Sequence, residues 1–275
     1  MLSKIKLQEF NEKGFTVIKN FISKKQIKSI YSQIDEVLSL ILRKNNITFK
    51  NSDTVDRKYL ILNKKNPVLK SHFYNSIKLM DSLNSVVFSK KITSTMKKIV
   101  NNKNLFVLGQ RLRLDHKEDH HHLPLHQELN NISNSFALMW CPLVPVNKKT
   151  GSLCLIPGSQ KYGHLKYKQS NKPAEHHTIG IVEKILNGKE NENYNNKIVK
   201  DLFKKKNLYF PTLNPGDAII FTTFMFHGST PYKGKNIRWS LLSSFIPYDK
   251  VPYIVDHKLK KMQISYNANY NKINA

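Results

Sequence analysis

The sequence predicts a mainly β domain, a sandwich or barrel, with helices packed on it. From residue 105 onward, short apolar runs alternate with Gly/Pro turn signals, the pattern of an all-β core. Before that point the apolar residues recur at helical spacing instead. The chain of 275 residues, 40% hydrophobic, can bury a sizeable core and reads as a single domain.

A short strand is expected within residues 10–22, carried by Gly14-Phe15-Thr16-Val17-Ile18 and then Asn20-Phe21-Ile22. Ser23 with Gln26 three residues on forms a capping-box signal. The helix that follows sets Ile27, Ile30, Tyr31, Ile34, Val37, Leu38 and Ile41 on one stripe. A polar loop containing Tyr59-Leu60-Ile61-Leu62 comes next. Pro67 opens a second helical stretch to about Leu83, and a third runs from about Asn84 to Val100. Residues 1–104 thus form a strand and helices packing on the core.

The core itself occupies 105–159 and 209–247. Its strands are expected at Leu105–Leu114, Phe136–Trp140, Ser152–Ile156, Ala218–Phe226 after the turn Asn214-Pro215-Gly216-Asp217, and Ile237–Ile246. Residues 160–208 are polar, with one helical piece near Ile179–Leu186, and read as an insertion that serves as a lid, a substrate wall or a plain surface excursion. Residues 248–275 form a C-terminal extension whose end frays.

The formal net charge of +26 invites a nucleic-acid or membrane partner. Composition argues against it. Of 45 basic residues 40 are Lys and five are Arg, and 29 Asn accompany them, as codon bias in an AT-rich genome would produce. The lysines are scattered, and readers of base edges lean on Arg. An anionic small substrate remains compatible. No run of 18 apolar residues marks a membrane span, and the first residues carry no apolar signal core, so a cytoplasmic location is expected. Cys141 and Cys154 sit in apolar runs and read as buried, inert thiols.

Chemistry concentrates in four residues. His126 and Glu128 are two apart, so in extended backbone both side chains share a face. His227 ends the apolar run Ala218–Phe226. Two histidines and one carboxylate occupy one face of a metal and leave the opposite positions open, the arrangement of non-haem Fe(II) oxygenases. Arg238 follows His227 by 11 residues, after a turn that would return the chain beside the His227 strand. A buried arginine needs a carboxylate, either that of a dicarboxylic cosubstrate or that of a structural Arg–Glu pair. Ser229 could add a hydroxyl to the same carboxylate. The histidines at 116, 120–122 and 176–177 read as adventitious binders, with 115–123 a flexible loop. His72 and His164 read as surface or supporting residues.

These pieces resemble the phytanoyl-CoA dioxygenase family of Fe(II)/2-oxoglutarate oxygenases. The resemblance rests on Pro124-Leu125-His126-Gln127-Glu128-Leu129, Ala137-Leu138-Met139-Trp140, Thr150-Gly151-Ser152-Leu153, Ile156-Pro157-Gly158-Ser159, Pro215-Gly216-Asp217, and His227-Gly228-Ser229 with Arg238. It implies a double-stranded β-helix, a jelly-roll and cupin-like core with flanking helices. It implies Fe(II) on His126, Glu128 and His227, with 2-oxoglutarate and dioxygen as cosubstrates. Arg238 and Ser229 would meet the distal carboxylate of 2-oxoglutarate, Gln110 would support it, and Trp140 would line the pocket. The family pattern carries Asp where this chain has Glu128, which sets the carboxylate outward by a single C–C bond. Halogenating relatives have a small residue there, so the carboxylate implies hydroxylation. The same longer side chain leaves open a non-catalytic, cupin-like binding protein. Arg111, Arg113, Lys161, Lys166 and Lys168 near the site segments point to a small polar or anionic substrate.

Overall fold

In the structure, a computed structural model, the described residues are 2–117, 125–127, 137–163 and 208–247. Helix α1 (Lys4–Lys13), which the sequence reading did not anticipate, is capped by the Ser3 hydroxyl and ends at Gly14 in the left-handed region. Strand β1 (Phe15–Ile18) follows. Helix α2 (Lys24–Lys44) starts on the expected capping box and buries Ile27, Ile30, Ile34, Leu38 and Leu42.

The expected polar loop is instead helix α3 (Val55–Lys65), capped by Thr54. Its charged residues are taken up by partners on other elements. Lys58, only 2% exposed, donates to Asp35 and Ser39 of α2. Asp56 accepts from the Trp239 indole and the Ile237 amide. The second helical stretch divides into α4 (Pro67–Ile77) and α5 (Asp81–Val87), and the third is shorter than expected, α6 (Lys90–Ile99).

The remaining strands are β2 (Leu105–Asp115), β3 (Ala137–Pro142), β4 (Leu153–Leu155), β5 (Ala218–Thr222), β6 (His227–Ser229) and β7 (Arg238–Pro247). Five form an antiparallel sheet in the order β1-β5-β3-β7-β2, and β4 pairs with β6 in a second. Single bridges widen the small sheet, His126 to His227 on one side and Leu155 to Tyr209 on the other. Side chains alternate across the large sheet. Met139, Cys141, Ile220, Trp239, Leu241 and Phe245 pack with the helices. Leu138, Trp140, Ile219 and Phe221 pack with Leu153 and Leu155 of the small sheet. The described residues show mixed architecture with two antiparallel sheets and flanking helices.

Two strand expectations change, and both move site residues. The run Ala218–Phe226 is not one strand. β5 stops at Thr222, a turn closes with Met225 N–H donating to the Thr222 carbonyl, and His227 opens β6 in the other sheet. Arg238 therefore does not return beside His227. The chain crosses between the layers, and β7 inserts between β3 and β2.

Gly216, at φ 87°, makes the turn into β5. A Cβ there would lie 2.3 Å from the Ile22 carbonyl oxygen. Beside it, the Asp217 carboxylate is 2% exposed. Burial raises its pKa, but Lys19 and the Asn20 and Asn214 amides more than offset this and hold it below the ordinary value. A lowered folded pKa means the unfolded chain takes up the proton first. The stabilisation is complete above about pH 3.9 and is lost as pH falls through the folded value. Asp217→Asn is expected to cost about 1.5–3 kcal/mol at pH 7 and progressively less below pH 4, read from denaturant midpoints across pH.

Both cysteines are buried and unpaired. Burial pushes the Cys154 thiol up to about 12 and the Cys141 thiol higher still, so both stay protonated. No helix among the described residues is long and apolar enough to cross a membrane.

Candidate functional site

His126 and His227 hold each other by their backbones. The His126 N–H donates to the His227 carbonyl at 2.8 Å and the His227 N–H to the His126 carbonyl at 3.0 Å. Residues directly opposite in an antiparallel pair project to the same face. Their imidazole centroids are 4.4 Å apart. His227 is 4% exposed. Its Nδ1 lies 3.0 Å from the Met225 carbonyl. A carbonyl only accepts, so this contact calls for a proton on Nδ1, and in the neutral ring that leaves Nε2 as the atom able to bind a metal. Phe221 of β5 packs its ring 4.5 Å from that of His227. Gln127, between His126 and position 128, is buried and donates to the Gly163 and Phe224 carbonyls. That anchor fixes the backbone that carries His126. Glu128 lies outside the described residues, as do Lys166, Lys168 and nearly all of the 160–208 segment.

Arg238 enters the same space from the opposite sheet. It is 2% exposed. Its Nε and Nη2 reach one oxygen of Asp115, at 3.2 and 2.9 Å, and its Nη1 donates to the Gly151 carbonyl at 2.9 Å. The Tyr232 ring lies 5.4 Å from the guanidinium carbon. The second Asp115 oxygen accepts from Arg113 Nε at 3.0 Å. Three of the five N–H groups of Arg238 are engaged by these contacts, and one on each terminal nitrogen has no partner among the described residues. Gly151 is at φ 106°, and a Cβ there would sit 2.8 Å from the Pro231 carbonyl oxygen and the Tyr232 Cα. This glycine lets the backbone come close enough to brace the arginine.

A cavity brings most of the expected residues together. Around it stand His126, His227, Ser229, Arg238, Trp140, Phe221, Leu138, Arg111 and Arg113. Trp140 is 3% exposed and Ser229 is 4% exposed. Gln110 does not join them. Its amide donates to Asn84 of α5 at 2.9 Å, on the helix side of the sheet. A register shift between Leu108 and Arg111 is the cause. Leu108 pairs with Ser244 and Arg111 with Leu242, so β2 carries one residue more than β7 over that interval. An unbroken ladder would have set Gln110 opposite Leu242 on the cavity face. The bulge moves it to the other face and brings Arg111, Arg113 and Asp115 inward. Lys161 sits exposed on a short 3-10 turn (Ser159–Tyr162) and is not among the cavity residues.

The sequence reading missed Asp115, which it placed in a flexible loop. It is the buried last residue of β2, directly opposite Arg238. The spacing Arg111-x-Arg113-x-Asp115 was the available signal, but it acquires meaning only once the register against β7 is known. Among the described residues no cluster of three His, Cys, Asp or Glu side chains could hold a metal. The two imidazoles form a partial donor set.

A family model described as Phytanoyl-CoA dioxygenase (PhyH) matches residues 10–240. No curated protein matches the sequence. Among solved structures, EctD from S. alaskensis with bound Fe superposes with a TM-score of 0.58 at 13% identity, covering 90% of this chain and 78% of that one. SnoK, a non-heme alpha ketoglutarate dependent carbocyclase from nogalamycin biosynthesis, gives 0.55 at 12% identity, covering 90% and 84%. AviO1 from Streptomyces viridochromogenes Tue57 gives 0.55 at 12% identity, covering 90% and 96%. At these identities the likeness is one of fold.

Proposed function

Because this chain belongs to the phytanoyl-CoA dioxygenase family, we propose that it is an Fe(II)- and 2-oxoglutarate-dependent dioxygenase that hydroxylates a small polar or anionic metabolite. The observation that carries this reading is the His126–His227 backbone pair, with both imidazoles beside a cavity that also receives Arg238. The two sheets would be the faces of a double-stranded β-helix.

His126, His227 and Glu128 would hold the iron, a two-histidine, one-carboxylate set. When bound, iron with 2-oxoglutarate supplies the oxidising power, consuming dioxygen and releasing succinate and CO2. The chain's own residues bind and orient. Met225 fixes the His227 tautomer through its carbonyl. The two remaining N–H groups of Arg238, with the Ser229 hydroxyl, would receive the distal carboxylate of 2-oxoglutarate. Trp140, Leu138 and Phe221 wall the cavity with apolar surface and limit water there. Glu128 would supply a carboxylate to the metal, which favours hydroxylation over halogenation.

Arg238→Ala is expected to raise the 2-oxoglutarate concentration needed for half-maximal succinate release by roughly 10–100-fold, the value of a charge-assisted hydrogen-bond pair. The assay is succinate formed after anaerobic loading with Fe(II) and 2-oxoglutarate followed by oxygen. Full turnover in Arg238→Ala would sink the reading. Metal and 2-oxoglutarate binding with no succinate, under any substrate tried, would favour the non-catalytic binding protein.

A further inference from the structure

We infer that the chain carries a second ligand site, apart from the histidine cavity, that takes a small organic monoanion with an apolar, ring-sized body. The site lies at the outer edge of β1, among residues of α1, α6 and the segment 209–212. It stands independently of the metal-site reading.

A cavity of about 770 Å³ occupies this place. That falls within the few hundred to roughly 1,000 Å³ of small-molecule sites, and an inorganic ion would leave it mostly empty. It shares no lining residue with the cavity at His126 and His227. Val17 of β1, the outermost strand of the large sheet, lines the first cavity, and Phe221 of β5 lines the second.

Much of the lining is apolar. Val17 and Ile18 come from β1, Phe21 follows that strand, and Tyr209 and Phe210 add two rings. Tyr209 is 37% exposed, yet it stacks on Phe15 with ring centroids 4.8 Å apart. A large ring that is fixed in place while still partly in water offers flat surface to another ring.

The charges around the cavity do not match. Lys6, Lys19, Lys91 and Glu9 line it. Lys6 pairs with Glu9 at 2.8 Å, and Lys19 pairs with Asp217 at 2.9 Å. Lys91 has no carboxylate partner among the described residues. Its ammonium donates to the Asn20 carbonyl at 2.7 Å and lies 5.6 Å from the centroid of the Phe21 ring. An ammonium carries three N–H groups, so the Asn20 contact leaves donors for a ligand. One carboxylate at Lys91 would complete the pairing, with its apolar body against Phe21 and the neighbouring walls. Lysine is common along this chain, 40 of 275 residues, so charge alone would not mark a site. The concave apolar volume beside an unmatched lysine does.

The experiment titrates the full chain by calorimetry with 2-naphthoate, 2-naphthamide and acetate, which present body with charge, body alone and charge alone. Each titration is run on chelator-treated protein and again with Mn(II) and 2-oxoglutarate. The expected result is saturable binding of 2-naphthoate, at least about tenfold tighter than either of the others and the same in both preparations. Lys91→Gln should weaken 2-naphthoate by about tenfold and leave 2-naphthamide unchanged, as loss of a charged hydrogen bond predicts. Phe210→Ala should weaken both naphthyl compounds. Lys103→Gln, an exposed lysine outside the cavity, should change nothing. Equal affinity for 2-naphthoate and its amide overturns the inference, as does acetate binding as tightly as 2-naphthoate. Undiminished 2-naphthoate binding in Lys91→Gln also overturns it. Binding that 2-oxoglutarate displaces would belong to the histidine cavity and overturn it too. Failure of the chain to bind 2-oxoglutarate would sink the metal-site reading and leave this inference standing.

Discussion

His227→Ala should abolish succinate release, a loss of more than about 100-fold, and should weaken Mn(II) binding by at least the same factor. Changes one shell away from a metal already cost roughly 10–100-fold, and loss of a donor removes more. The variant tests the proposal well because the backbone of residue 227 has its own structural role. Its N–H and carbonyl pair with His126 whatever the side chain, so the small-sheet ladder should survive the substitution. The side chain packs against the Phe221 ring, and its loss opens a void beside that ring. A midpoint of thermal unfolding should therefore fall modestly while metal binding collapses. Metal titration by calorimetry beside the unfolding curve separates the two effects. Retained Mn(II) affinity in a folded His227→Ala protein would remove His227 from the metal site.

Asp115→Ala should be the most destabilising single change at the cavity, by about 3–5 kcal/mol, because it leaves a buried guanidinium without its carboxylate. Asp115 and Arg238 side chains are 6% and 3% exposed, so water cannot repair the loss. Arg113 loses the same partner, at a more exposed and less costly position. For a chain of this size each kcal/mol moves the unfolding midpoint by roughly 2–4 °C, so the shift is readily measured by calorimetry. Asp115→Asn should cost less, since an amide oxygen still accepts from Arg238. A double variant, Asp115→Leu with Arg238→Met, should recover much of the stability while losing 2-oxoglutarate binding. An Asp115→Ala protein as stable as the unaltered chain would mean that Arg238 finds another anion within the structure.

The two expectations differ in how they could be foreseen. His227 was legible from the chain alone, because a histidine at the end of an apolar run that follows a Pro-Gly-Asp turn is a local pattern. The pairing of Asp115 with Arg238 spans 123 residues and depends on which residues of β2 and β7 come opposite each other. The same register decided Gln110. Its type suited a cosubstrate contact, but a single extra residue between Leu108 and Arg111 reversed its face. Helix α3 shows a similar limit. The segment reads as a polar loop, whereas the charges of Lys58 and Asp56 are taken up by partners on other elements.

The sequence by itself determined the elements that local forces decide. The capping box at Ser23, the apolar stripe of α2, the glycine turn before β5 and the family motifs around His126 and His227 all lie within a few residues of their own signals. Tertiary structure alone decided which sheet each strand joined and which face each strand residue presented. It sent β6 and β7 to different sheets, so Arg238 meets the histidines across the cavity rather than beside them. It also gave Arg238 its internal carboxylate. The physical reason is that strand pairing and burial of charge are long-range. A side chain's face is set by register against a distant strand, and a buried charge is tolerable only where a distant segment supplies its opposite.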